Sequence, residues 1–258
     1  MRRSSFYLTV LILLICNACI SQKPKHSLRV CSYNIRHGEG MDGKIDIKRI
    51  ADLLRKSGAE LIALQEVDKN CARSENRDIA QELANLLGMH YHFEKFMNYD
   101  GGEYGMAILS KFPILESIRH DLPKGSEPRC AIEVQLITPY TSQMISFVNI
   151  HNEWNRNKIR LAQTQILNDK LKSNRATILA GDFNGDQADP ALIHLKANHW
   201  SILQKSPNKT WPSDQPETEI DFIMTRHLPS HTVDHYVIEE SIISDHRPIF
   251  AEFEFSEN

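Results

Sequence analysis

Short apolar runs that stop abruptly at polar residues recur along this chain, and they constrain its fold more than any other feature. The clearest is Ile178-Leu179-Ala180-Gly181-Asp182-Phe183-Asn184. If Ile178 to Asp182 is a strand, side-chain alternation puts Asp182 and Asn184 on one side at its C-terminal mouth. An α/β protein presents reactive groups there. Gly, Asp and Asn also favour turns, so the segment alone reads equally well as a strand ending in a turn. Its weight comes from the runs that share its form.

Leu28 to Ile35 alternates like a strand, with Leu28, Val30, Ser32 and Asn34 on one side. The polar loop Arg36-His37-Gly38-Glu39-Gly40 follows. Asp46 then caps a helix through about Ser57, with Gly58 as its stop. Leu61 to Leu64 is continuously apolar, as in a strand covered on both faces, and ends in Gln65-Glu66. That glutamate is either a metal ligand or a solvated end charge. A second helix is expected from Asn76 to Leu87. Strands are expected over Tyr91–Phe96, Tyr104–Ser110, Ile114–Asp121, Arg129–Thr138 and Met144–His151, with a loop at Asn98–Gly102. Asn149 and His151 share a side at the end of the last of these. A histidine there is as readily an ordinary hydrogen-bonded edge residue.

Arg156 to Leu171 carries the longest helical pattern. Asp189-Pro190 opens another helix, since Pro is favoured at a first helical position. Ser201 to Glu217 is loop-like. Glu219 to Met224 is a strand with an interior Asp221, which needs a partner if buried. Ser244-Asp245-His246-Arg247-Pro248 precedes a closing strand, where Ile249, Ala251, Phe253 and Phe255 alternate with Phe250, Glu252 and Glu254.

Helices alternate with strands early and late, around a β-rich middle. That order implies two packed sheets with helices outside rather than one doubly wound sheet. No linker or repeat divides the 258 residues, so one domain over 28–256 is expected. The start differs in kind. Basic Met1-Arg2-Arg3, apolar Phe6 to Ile15 and then Asn17-Ala18-Cys19 read as an export signal over 1–18. Cys19 after Ala18 resembles a bacterial lipoprotein processing site, although position 16 is Cys rather than the usual Leu. The expectation is an exported protein anchored to a membrane through lipidated Cys19, or periplasmic or secreted without lipid, with 19–27 as a tether. Removal of Arg2 and Arg3 would take the net charge from −3 to −5. Neither value favours broad nucleic-acid binding, which needs basic surface. Cys31, Cys71 and Cys130 remain, too few for a disulfide scaffold and too scattered for a zinc site.

The polar ends are Asn34, Glu66, Tyr104, His151, Asp182, Asn184, Asp221, Asp245 and His246. Oxygen ligands dominate, which suits Mg²⁺ or Mn²⁺. Carboxylates with histidines suit metal-assisted attack of water on a phosphate ester. A histidine held by an aspartate can move a proton near neutral pH.

Seven segments occur in the order seen in the endonuclease/exonuclease/phosphatase superfamily. They are Tyr33-Asn34-Ile35, Gln65-Glu66-Val67, Tyr104-Gly105 with Ala107 to Ser110, Asn149-Ile150-His151, Gly181 to Asn184, Ile220 to Ile223 and Ser244 to Pro248. The chain resembles that superfamily over about residues 28–255. The resemblance implies the DNase I-like fold, an α+β four-layer sandwich of two packed mixed sheets flanked by helices. It implies Glu66 as principal metal ligand, with Asn34 beside it and Asp245 as a further ligand or water bridge. Asp182 would orient or deprotonate the attacking water, and Asn184 would hold the phosphate or that water. Asp221 would orient His246, which would stabilise or protonate the phosphate, with His151 as a second acid–base group. Tyr104 is expected at the substrate. Arg36 and Arg129 are candidates to clamp a phosphate, or equally surface ion-pair partners. Met106 stands where many relatives carry Asn. The implied substrate is a small or lipid-borne phosphoester; nucleic acid is the less favoured alternative and an inactive surface-binding copy the third. A monomer is expected.

Overall fold

The computed structural model describes residues 27–171 and 174–255. The expected signal and most of the tether lie outside them. Ser27, at the end of the expected tether, is the first residue of a strand.

Two six-stranded sheets pack face to face. In the first, β1 (Ser27–Asn34) lies parallel to β2 (Leu61–Lys69), and α1 (Ile47–Ser57) crosses over between them. The β3 (His90–Tyr99) and β4 (Gly102–Ser110) hairpin extends one side, while β12 (Ile249–Phe255) and β11 (Ser230–Val237) extend the other. The second sheet repeats the device. Its β7 (Met144–His151) lies parallel to β8 (Ala176–Asp182), with α3 (Asn157–Lys170) crossing over. Its flanks are β5 (Glu116–Leu122) with β6 (Arg129–Ile137), and β10 (Asp221–Arg226) with the two-residue β9 (Ser201–Ile202). The remaining helices are α2 (Ile79–Leu87) and α4 (Pro190–Ala197).

Alternation sorts each strand's side chains into two cores. Leu28 and Val30 of β1, Ile132 and Val134 of β6 and Ile178 and Ala180 of β8 meet between the sheets. Tyr33 and Leu64 face outward under α1 and α2, and Val148 and Leu179 face outward under α3 and α4. Burying both faces is why the central strands read as unbroken apolar runs. Both parallel pairs end at the same edge of the sandwich. That edge gathers the C-termini of β1, β2, β7 and β8.

Local departures from the expected elements have local causes. Helix α2 begins at Ile79, not Asn76, because Asn76 is left-handed at φ 57° and Asp78 supplies the cap to the Gln81 N–H at 3.1 Å. The expected loop at Asn98–Gly102 is a tight hairpin. Asp100 and Gly101 both take positive φ, which the two-residue turn requires. Strand β11 has no apolar alternation because it is an exposed edge. Among the described residues Cys31, Cys71 and Cys130 are buried free thiols, and no helix is long and apolar enough to cross a membrane.

Candidate active site

Glu66 reaches the strand-end edge because β2 is bulged there. Its pairing with β4 slips between Leu64 and Val67, and Glu66 sits at φ 55°. Such a bulge re-aims one side chain and leaves carbonyls unpaired. Asn149 of the opposite sheet takes up both of these, donating from Nδ2 to Leu64 O and Ala107 O at 2.9 Å each. Its Oδ1 accepts from Gln65 Nε2 at 2.7 Å, and Gln65 also bonds Ser32. Asn149 is therefore a strut under Glu66 rather than a group in the cleft.

Asp182 is placed by close strand approach. A Cβ at position 181 would lie 1.9 Å from Ile150 O, so only glycine lets β8 pass β7 at this point. Asn184, left-handed at φ 50°, turns back, and its N–H donates to Asp182 Oδ1 at 2.9 Å. Asn34 Nδ2 donates to Asp182 Oδ2 and to Glu66 Oε1, both at 3.1 Å. Asn34 Oδ1 accepts from the Arg36 N–H at 3.1 Å. The amide thus turns its nitrogen to the carboxylates, and direct ligation of a cation through Oδ1 would require it to turn over.

His151 ends β7 of one sheet, and His246 lies in the loop that leads into β12 of the other. His246 Nδ1 lies 3.0 Å from Asp221 Oδ2, and its Nε2 is 3.7 Å from Asp182 Oδ2. Ser244 holds this loop against β1 by donating to Asn34 O at 2.7 Å. His151 Nε2 is 3.4 Å from Asp182 Oδ2, and its Nδ1 is 3.1 Å from Arg129 Nη1. Arginine only donates, so Nδ1 must accept and the proton sits on Nε2, facing Asp182.

Burial and charge set these groups apart. Burial pushes Asp182 up to about 7 against the pull of His246, with Asp221 adding to the rise. Burial alone would lower His246, but the carboxylates of Asp221 and Asp182 outweigh it and raise the imidazolium to about 10. Burial, then Arg129 and His246, hold His151 well below its ordinary value, so it is neutral. Glu66 is raised by burial, the Asn34 hydrogen bond opposing and Asp245 adding. The two histidines therefore carry opposite protonation at neutral pH.

A cleft of about 250 Å³ opens over this cluster, lined by Glu66, Tyr104, Arg129, His151, Asp182, Asn184 and His246 among others. Arg129 is buried and lies 5.0 Å over the Phe96 ring, with an ion contact to Glu127 at 3.0 Å. Arg36 does not line the cleft: its guanidinium is 3.7 Å from Glu39 and beside Met41. Met106 is buried between the sheets. Asp245 is half-buried behind Glu66, near enough to raise it. Trp154, Arg73, Tyr99, Met97 and Glu127 also line the cleft, and sequence reasoning missed them. They sit in loops and strand ends without periodicity; an aromatic directly after the His151 strand was the one available signal.

The donor set fits a hard cation. Asp182, Asp221 and His246 offer ligand atoms all within 4.8 Å of one another. Asp221 Oδ1 is buried with no hydrogen-bond partner among the described residues. Burial raises Glu66 and Asp182 despite the nearby His246 imidazolium, so a cation bound beside them would favour their ionised forms. Against a cation seated in that triad stands the direct His246–Asp221 bond, which already occupies two of its atoms.

Residues 31–246 match the sequence model of the Endonuclease/Exonuclease/phosphatase family. The chain belongs to this family. The uncharacterized protein YbhP of Escherichia coli K12 is 25% identical over 255 residues, covering 90% of this chain and 98% of that one. Among solved structures, the mannosyl-6-phosphatase Bt3783 of Bacteroides thetaiotaomicron VPI-5482 superposes with a TM-score of 0.74 at 20% identity, covering 88% of this chain and all of the other. The human Nocturnin catalytic domain superposes with a TM-score of 0.71 at 18% identity, covering 90% and 96%. The family consists of metal-dependent phosphoesterases, and this chain is a phosphoester hydrolase of that kind.

Proposed function

We propose that the protein hydrolyses a phosphoester of a small or lipid-borne substrate by cation-assisted attack of water. One observation carries the reading: Asn34, Glu66 and His246 from one sheet meet His151, Asp182 and Asp221 from the other in a single cleft. Glu66 and Asp245 would hold Mg²⁺ or Mn²⁺, joined by Asn34 if its amide turns over. The ion, when bound, neutralises charge on the phosphoryl oxygens.

The chain's own groups supply the rest. Asp182, ionising near neutrality, orients the water and takes its proton. The Asn184 amide holds the phosphate or the water. His246, locked as an imidazolium by Asp221, donates from Nε2 to a phosphate oxygen. Neutral His151 fixes Asp182 through Nε2–H. Arg129 lines the cleft as the guanidinium for the phosphate. Tyr104 walls the site.

A small substrate is favoured over nucleic acid by the overall charge of −3, which supplies no basic groove. The structural neighbour Bt3783, a mannosyl-6-phosphatase, is in line with that choice. The basic, apolar start ending at Ala18-Cys19 supports export with lipid anchoring at Cys19. The test is a screen of phosphomonoesters, phosphodiesters, phospholipids and plasmid, with Mg²⁺, Mn²⁺ or EDTA. Metal-dependent turnover lost in Glu66→Gln and His246→Ala is expected. Strong plasmid nicking at physiological salt would replace this reading with a nuclease, and ligand binding without any hydrolysis would replace it with a surface receptor.

A further inference from the structure

Trp154 combines a fixed backbone with an exposed ring. It lies between β7 and α3, beside buried Glu153. The Glu153 N–H donates to Gln163 Oε1 at 2.8 Å, and its carboxylate accepts from Ser126 N at 2.6 Å, Ser126 Oγ at 2.7 Å and Asn155 N at 3.2 Å. Arg160, itself forked onto Asp189, donates to Glu153 O at 2.8 Å and Trp154 O at 3.4 Å. The indole is nonetheless 58% exposed and lines the catalytic cleft. A lone exposed apolar side chain is ordinary. An indole on pinned backbone at the mouth of an active site is a preformed stacking surface, with little ordering cost left on binding.

Arg73 lines the same cleft and is held as firmly. Its Nε and Nη2 each reach fully buried Asp68 at 2.8 Å, and its guanidinium lies 4.4 Å from the Tyr99 ring and 5.3 Å from that of Tyr104. Its Nη1 has no hydrogen-bond partner among the described residues. A braced fork with Nη1 free to donate suits an oxygen acceptor.

We propose that Trp154 and Arg73 form the subsite for the alcohol side of the substrate, and that this alcohol is an oxygen-bearing ring (a pyranose, cyclitol or nucleoside) rather than an acyl chain or an open polyol. Trp154 takes the ring face and Arg73 Nη1 an oxygen carried by the ring, in it or on it. The inference rests on the phosphoesterase reading for the phosphate only.

Calorimetric titration with Mg²⁺ in a non-hydrolysing His246→Ala background tests it. The probes are glucose 6-phosphate, myo-inositol 1-phosphate, adenosine 5′-monophosphate, glycerol 2-phosphate, inorganic phosphate and phosphatidylglycerol vesicles. At least one ring ester is expected to bind about 10-fold tighter than glycerol 2-phosphate, as stacking on an aromatic allows. Adding Trp154→Leu should erase that advantage while leaving inorganic phosphate unchanged, and Trp154→Phe should keep most of it. Arg73→Lys, which retains a cation for Asp68, should weaken the ring ester several-fold and inorganic phosphate not at all. The ring ester that binds tightest when Trp154 and Arg73 are both present distinguishes sugar, cyclitol and nucleoside. Equal loss for ring and ringless esters, no loss in either, or preference for the vesicles would overturn the proposal. Absence of turnover in the wild-type screen would count against the phosphoesterase reading alone, because these titrations do not depend on hydrolysis.

Discussion

At Asp182, burial opposes ionisation while an imidazolium 3.7 Å away and the Asn34 amide at 3.1 Å favour it, and the balance falls at about 7. A cation held by Glu66 and Asp245 would favour the ionised form of neighbouring Asp182. Mg²⁺ or Mn²⁺ affinity should therefore tighten as pH rises from about 6 to 8, with net proton release seen as buffer-dependent heat in calorimetry. Affinity flat across that range would contradict the raised Asp182. The His246–Asp221 bond gives a second prediction, with the opposite sign. His246 is raised from 6.5 to about 10, so the stability this pair contributes is complete below about 6.5 and is lost as pH climbs through about 10. In EDTA-treated protein, wild type should melt above Asp221→Asn at pH 6.5, and the gap should narrow towards pH 10. A gap that widens with pH would exclude a charged His246. Under catalytic conditions Asp221→Asn should lower kcat by about 10²- to 10⁴-fold, the usual worth of a positioned acid–base group.

One scale up, the site depends on two irregular strand ends. The β2 bulge aims Glu66, and it stays stable because Asn149 crosses the sandwich to pair the carbonyls of Leu64 and Ala107. Asn149→Ala strands both carbonyls in the interior, at about 1–3 kcal/mol each. Urea unfolding should report that loss, and turnover in the remaining folded protein should fall as well. Glu66→Gln, by contrast, should remove turnover while leaving stability equal or higher, since it deletes a half-buried charge that its surroundings disfavour. If both variants behaved alike, Asn149 would have no role in aiming Glu66. The regular elements were legible in the sequence because each carried its own signal: Asp46 and Gly58 bracket α1, Pro190 opens α4, and alternation marks β12. The exposed edge β11 lacked such a signal, and Asp100-Gly101 resembled a loop until both strands were paired across it.

At the scale of the whole molecule, each sheet carries half of the machinery, so catalysis depends on how the sheets register. Ile178 lies in the core between them, and Leu83 projects from α2 into the outer core against one sheet only. Both are fully buried, and either change to Ala should cost about 2–5 kcal/mol. Ile178→Ala should lower kcat far more than Leu83→Ala at equal stability, because a displacement of about 1 Å between reacting groups can cost roughly 10²-fold. Equal kcat values would mean that the inter-sheet core does not set the geometry.

The chain by itself determined the apolar runs, their polar terminations, the caps and the order of the seven segments, since each is a property of near neighbours. That was enough for two packed sheets with helices outside and for a list of reactive side chains. Only the tertiary structure decided that Arg36 turns to Glu39 while Arg129 enters the cleft, that Asn34 offers nitrogen to the carboxylates, and that Arg73 and Trp154 join the site. It also decided the charge on each histidine: His151 ends β7 and His246 lies in the loop before β12, both beside Asp182, and what separates them is that one also meets Arg129 and the other Asp221. Burial and long-range charge act through space, and sequence position does not encode the distance between side chains that folding brings together.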